Sequence, residues 1–134
     1  MALFWGQKAS LKGTPGDPGP AGPMAPVVLI LPSPTGNERQ VLLQAPQPLT
    51  ISRISAVLVG GSNPSVSFSL QHGSDVSAAG TPLTATDIVC SSTTTGTQVT
   101  GLDNPLVAEG CWLWAVLSAA TGSPAALTIQ IDFS

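Results

Sequence analysis

Glycine recurs at every third position from Gly13 to Gly22, giving four consecutive triplets: Gly13-Thr14-Pro15, Gly16-Asp17-Pro18, Gly19-Pro20-Ala21 and Gly22-Pro23-Met24. Proline fills four of the eight remaining positions. In a triple helix only a hydrogen side chain fits at the crowded axis, so glycine must return every third residue, and proline pre-sets the extended backbone. At an average glycine usage of about 7%, four in register from a given start arise by chance at about 2 in 100,000. A flexible Pro/Gly linker has no reason to keep that register. Residues 13–24 therefore read as a short collagen-like stalk, which implies three parallel chains. Such a stalk spans at most about 37 Å, at ~3.1 Å per residue. Four triplets are too few to hold three chains unaided, so the rest of the chain has to supply trimerisation.

Of the 134 residues, 110 follow Met24, enough for one modest hydrophobic core. Only 8% of the chain is charged while 43% is hydrophobic; an average soluble domain carries about 25% charged residues. The shortfall implies that partner subunits cover much of the surface. Seven acids against Lys8, Lys12, Arg39 and Arg53 give a net charge of −3. The cations form no cluster, so nucleic acid is not an expected partner. No apolar run approaches the ~20 residues that cross a bilayer, and membrane association is not expected either. Met1-Ala2-Leu3-Phe4-Trp5-Gly6 lacks the basic start and long apolar stretch of a signal peptide, so synthesis in a cytoplasm is expected. In that setting Cys90 and Cys111 are expected as free thiols. No metal-ligand spacing accompanies them, and neither a metal nor a cofactor is anticipated.

Residues 1–12 form an arm with an apolar knot, Leu3, Phe4 and Trp5, followed by Lys8 and Lys12. A knot of this size cannot build a core of its own. One account is a frayed terminus. The other, favoured here, is that Phe4 and Trp5 anchor the arm in a pocket of another protein, as aromatic residues do at interface hot spots.

Residues 25–134 read as a single all-β head. Val27 to Leu31 suggests a strand, buried or lying along a threefold axis, and Pro32-Ser33-Pro34-Thr35-Gly36-Asn37 ends it. Arg39 to Ala45 and Leu49 to Val59 follow, the latter closed by Gly60-Gly61-Ser62-Asn63-Pro64. Val66, Phe68 and Leu70 alternate with Ser65, Ser67, Ser69 and Gln71, a half-buried pattern. Further strands are predicted at Asp87–Cys90, Gln98–Thr100, Cys111–Ala119 and Ala126–Phe133. The spacing of the turns matches an antiparallel β-sandwich of jelly-roll type.

Candidate chemistry is sparse. His72, Ser74 and Asp75 could be imagined as a triad, but residues this close along one loop rarely place base, nucleophile and acid in line. The acids are scattered singly, so no catalytic pair is anticipated and no enzymatic role follows. Gly60-Gly61-Ser62-Asn63 lacks the lysine and following helix of a phosphate cradle. Trp112 and Trp114, two apart in a strand, share one face while Leu113, Ala115 and Leu117 share the other. Two apolar faces predict a strand packed between the sheets and a neighbouring subunit. The alternative use of the two indoles is a stacking platform for a host surface glycan.

An apolar arm, a few Gly-X-Y triplets and a C-terminal β domain together resemble the short trimeric fibres of tailed bacteriophages. The ending is similar too: Glu109-Gly110-Cys111-Trp112-Leu113, then a short turn, then Leu127-Thr128-Ile129-Gln130-Ile131-Asp132-Phe133, against an AGxWL strand, turn and LTVxIxF strand in small phage virion proteins. The Glu109-Gly110-Cys111 start departs from that pattern. The resemblance covers about a third of the chain. It implies a homotrimeric head fibre or capsid-decoration protein on the virion surface, its arm docked on another virion protein such as the major capsid protein. It brings no enzymatic residues. A tail fibre or receptor-binding tip is a variant of this expectation. Spore-surface and complement-like proteins share the layout of collagen stalk and jelly-roll head, but their heads are longer and richer in aromatics, and secreted members need an export signal.

Overall fold

The computed structural model describes residues 24–134. The arm with Leu3, Phe4 and Trp5, and the stalk glycines Gly13, Gly16, Gly19 and Gly22, lie outside the described residues. Ten strands follow in chain order: β1 (Val27–Pro32), β2 (Arg39–Gln44), β3 (Leu49–Val59), β4 (Ser65–Gly73), β5 (Thr81–Pro82), β6 (Ile88–Cys90), β7 (Thr97–Val99), β8 (Leu106–Val107), β9 (Trp112–Thr121) and β10 (Ala126–Phe133). No helix occurs among the described residues. Each predicted strand is present to within about two residues; the two-residue β5 and β8 carry no alternation that a sequence reading could detect.

The strands form two antiparallel sheets. Sheet A runs β1-β10-β3-β7, with β8 pairing the start of β3; sheet B runs β2-β9-β4-β5, with β6 also on β4. The first and last strands of the chain are therefore neighbours, with Val27 opposite Ile131 and Leu31 opposite Leu127. The long strands β3, β4 and β10 bury largely alternate residues, because successive side chains point to opposite faces. Ile54, Ala56 and Leu58 of β3 and Leu127, Ile129 and Ile131 of β10 are buried in one cluster with Val66, Phe68 and Leu70 of β4 and Leu113, Ala115 and Leu117 of β9. A buried Leu, Ile or Phe contributes about 1.5–3 kcal/mol relative to exposure, so this double layer of aliphatic residues is the main support of the fold.

Three irregularities break the alternation. The pairing of β3 with β10 shifts between Arg53 and Ile51, leaving Ser52 as an extra residue. Leu49 and Ile51 point inward before it, and Ile54, Ala56 and Leu58 after it. A bulge restores the buried face to a segment whose strict alternation would have turned half of it to water. Leu42 of β2 and Ser118 of β9 occupy the same role where those strands pair.

β1, β3 and β9 all start at one end of the sandwich, where β2, β4 and β10 finish. Met24 packs against the core just ahead of β1, so the described chain enters the sandwich at this end. At the far end the turns after β3 and β9 interlock. Ser62 N–H donates to the Gly122 carbonyl at 2.9 Å. Gly122 has φ +77°, and a Cβ there would lie 2.5 Å from the Ser62 oxygen.

Val27–Leu31 is not buried on both faces. Leu31 is buried, whereas Val28 and Ile30 are 53% and 62% exposed. The strand lies at the edge of sheet A and only its inner face meets the core.

Candidate functional site

The outer face of sheet A is flat, neutral and partly apolar. Its cross-strand rows follow from register: Val28, Gln130, Ser55 and Gln98 in one, Ile30, Thr128 and Val57 in the next. Val59 continues the apolar strip at 55% exposure. Beside β7 the surface dips into a groove of about 170 Å³ bounded by Val57, Gly96, Gln98, Thr128 and Gln130. Charge enters only at the end where β1 and β3 start, where Arg53 Nε donates to Asp132 Oδ2 at 2.8 Å. Gln130 Nε2 donates to the other oxygen, Oδ1, at 3.0 Å. The Gln130 bond and then the Arg53 bond hold the Asp132 carboxyl below its ordinary value, because both favour the ionised form.

The outer face of sheet B is covered by the chain itself only around Trp114; Val41 and Val89 on the same face are exposed. Trp114, opposite Val41 of β2 and Gln71 of β4, is 0% exposed yet lies apart from the cluster between the sheets. The loop of residues 74–80 folds over it. Gly80 N–H donates to Gln71 Oε1 at 3.2 Å, and Arg39 Nη1 donates to the Val76 carbonyl. The same Arg39 guanidinium stands 5.7 Å from the centre of the Trp114 ring, within cation–π range. The Trp114 Nε1–H is buried without a hydrogen-bond partner. Trp112, at the start of β9, is half-buried.

Trp112 and Trp114 thus share one face of β9, and Leu113, Ala115 and Leu117 the other, as their spacing predicts. The cover over Trp114 differs from the expectation. It comes from the protein's own loop and Arg39 rather than from a neighbouring subunit, and it leaves no ring surface on Trp114 for a sugar to stack against. Trp112 retains some.

The loop after β4 separates the imagined triad members. His72 Nε2 lies 3.1 Å from the Asn104 carbonyl oxygen, and Asn104 Nδ2 donates to the Pro82 carbonyl at 2.9 Å. Asp75 accepts from the Ser77 hydroxyl at 2.6 Å and the Ser77 N–H at 2.9 Å, which lowers its carboxyl pKa in that order of importance. His72 and Asp75 are thereby each tied to a structural partner outside the imagined triad. Cys90 is buried and Cys111 half-buried, both free. Among the described residues no three His, Cys, Asp or Glu side chains gather as a metal site.

The neutral face of sheet A was not legible from composition alone. Its signal was the alternation of Val28 and Ile30 with Val27, Leu29 and Leu31, masked by an unbroken apolar run that reads equally well as a fully buried strand. No family model matches this chain, and neither a curated protein nor a solved structure does.

Proposed function

We propose that this protein is a structural component of a tailed-bacteriophage virion, a homotrimeric head fibre or capsid-decoration protein. Leu3, Phe4 and Trp5 anchor its arm on a virion protein, the major capsid protein in the first instance. The Gly-X-Y run is the spacer, and the β-sandwich is the head that trimerises and projects from the particle. The observation that carries this reading is the seat of Met24. The last residue of the Gly-X-Y register packs on the core of the head, three residues before β1 starts at Val27. A stalk over residues 13–24 would then join the head through Ala25 and Pro26 alone, as a rigid fibre requires.

The strand orders β1-β10-β3-β7 and β2-β9-β4-β6 support the same reading. They are those of a jelly roll, an architecture of viral and lectin domains. The resemblance of the β9-turn-β10 ending to small phage virion proteins adds the virion assignment. The glycan-binding variant has Trp112 in its favour, but that residue lies at the stalk-proximal end, away from the tip that would meet a host.

The mass of the full chain in solution, by sedimentation or native mass spectrometry, tests the trimer, with three chains expected. Immunogold labelling of purified virions with antibody against the head tests the location. Label on the capsid supports a head fibre, label on the tail moves the assignment there, and unlabelled virions overturn it.

A further inference from the structure

The two outer faces of the sandwich are finished differently. Over sheet B the 74–80 loop covers Trp114 and leaves the separated Val41 and Val89 exposed, whereas over sheet A nothing among residues 24–134 covers Val28, Ile30 or Val59, which lie together on β1 and β3. β1 is also an edge strand, bonded to β10 on one side only. Edges that remain in water are blunted by charge, bulges or a covering loop. Val27–Pro32 contains no charged residue, and its pairing with β10 runs without a register shift. Pro26 and Pro32 bracket it, and proline has no N–H to offer a further ladder. What β1 presents is therefore a side-chain surface suited to packing rather than an open template for another strand.

We infer that the outer face of sheet A is the contact between copies of this chain, with Val28 and Ile30 of three β1 strands meeting around a threefold axis. The inference rests on the trimeric reading above. In the trimer proposed above, a triple helix over the Gly-X-Y run would hold three copies side by side at Met24. Val27 follows three residues later, a reach of at most about 11 Å, so every copy of β1 starts beside the axis. Sheet A meets the charge requirement as well. Its rows are apolar or neutral, and Arg53 and Asp132 neutralise each other within one copy, so approaching copies bring no unpaired charge together. A cyclic contact of this kind closes at three and leaves no open end for further growth.

The experiment compares the full-length wild type with Ile30→Asp, Ile30→Cys and Val89→Cys. Val89 is the control, 55% exposed on β6 of the other sheet. In the single chain Ile30 is 62% exposed, so an aspartate there is solvated and the fold stands. At an axis it would place three carboxylates in a desolvated contact. The expected result is a three-chain mass for wild type and a one-chain mass for Ile30→Asp at the same concentration. A short bismaleimide should link Ile30→Cys chains to one another and leave Val89→Cys and wild type unlinked. If wild type is trimeric but Ile30→Asp remains so and Ile30→Cys does not link, the face assignment is overturned while the trimer stands. A one-chain wild type overturns both. Should Ile30→Asp fail to fold, the linking of Ile30→Cys against Val89→Cys decides alone.

Discussion

Gly80 lies so close to the indole of Trp114 that a Cβ added to it would stand 2.5 Å from Cζ2 and 2.8 Å from Cη2. The glycine lets the 74–80 loop descend onto the ring, and the ring in turn gives the loop its only apolar seat on sheet B. Gly80→Ala should therefore cost about 1–3 kcal/mol, the range for forcing extra atoms into a packed site. Gly101→Ala, where nothing lies within 4 Å, serves as the control and should unfold in urea close to wild type.

Trp114→Ala should destabilise the head by about 3–5 kcal/mol, as large-to-small changes at buried aromatic sites do. Trp112→Ala should cost clearly less, since that side chain is only half-buried. Trp114→Phe separates packing from polarity. It keeps a ring under the loop and removes the unpartnered Nε1–H, whose burial costs about 1–3 kcal/mol, so its loss should be much smaller than that of Trp114→Ala. Equal losses for the two Trp114 variants would show that the loop does not seat on the ring.

Asp75 and Asp132 are both held below the ordinary value of 3.8. A carboxyl depressed in the folded state adds stability above its unfolded pKa and loses it as pH falls through the folded value. The stability conferred by these two groups should thus be complete at neutral pH and fade only below about pH 4. Ser77→Ala should return the Asp75 pKa toward 3.8, and Gln130→Ala that of Asp132. Carboxyl 13C titration by NMR reads each directly.

Deleting residues 1–8 should abolish incorporation into virions while leaving the three-chain mass intact. Normal incorporation of that shortened chain would place attachment on the head. Gly19→Val should disrupt the stalk locally, because no side chain fits at a triple-helix axis, and leave the urea transition of the head in place.

Period-two alternation is a local property, and in this chain it was enough to place the strands at Ser65–Gln71 and Ala126–Phe133. Every buried residue of β10 (Leu127, Ile129, Ile131) stands where a half-buried strand requires it. The turns were equally local, since Gly60-Gly61 and Gly122 supply positive φ angles that other residues resist. What lay beyond the sequence depends on partners far along the chain. Whether Ser52, Leu42 and Ser118 are paired or extruded is decided by the facing strand, because a bulge exists only relative to its neighbour. The cover over Trp114 depends on Gly80 and Arg39 reaching it from opposite directions, 34 and 75 residues away in sequence. The exposure of Val28 and Ile30 is the same kind of fact. Their apolar chemistry was visible in the sequence, but only the packing of sheet A on sheet B decided which of the two faces of β1 remained open.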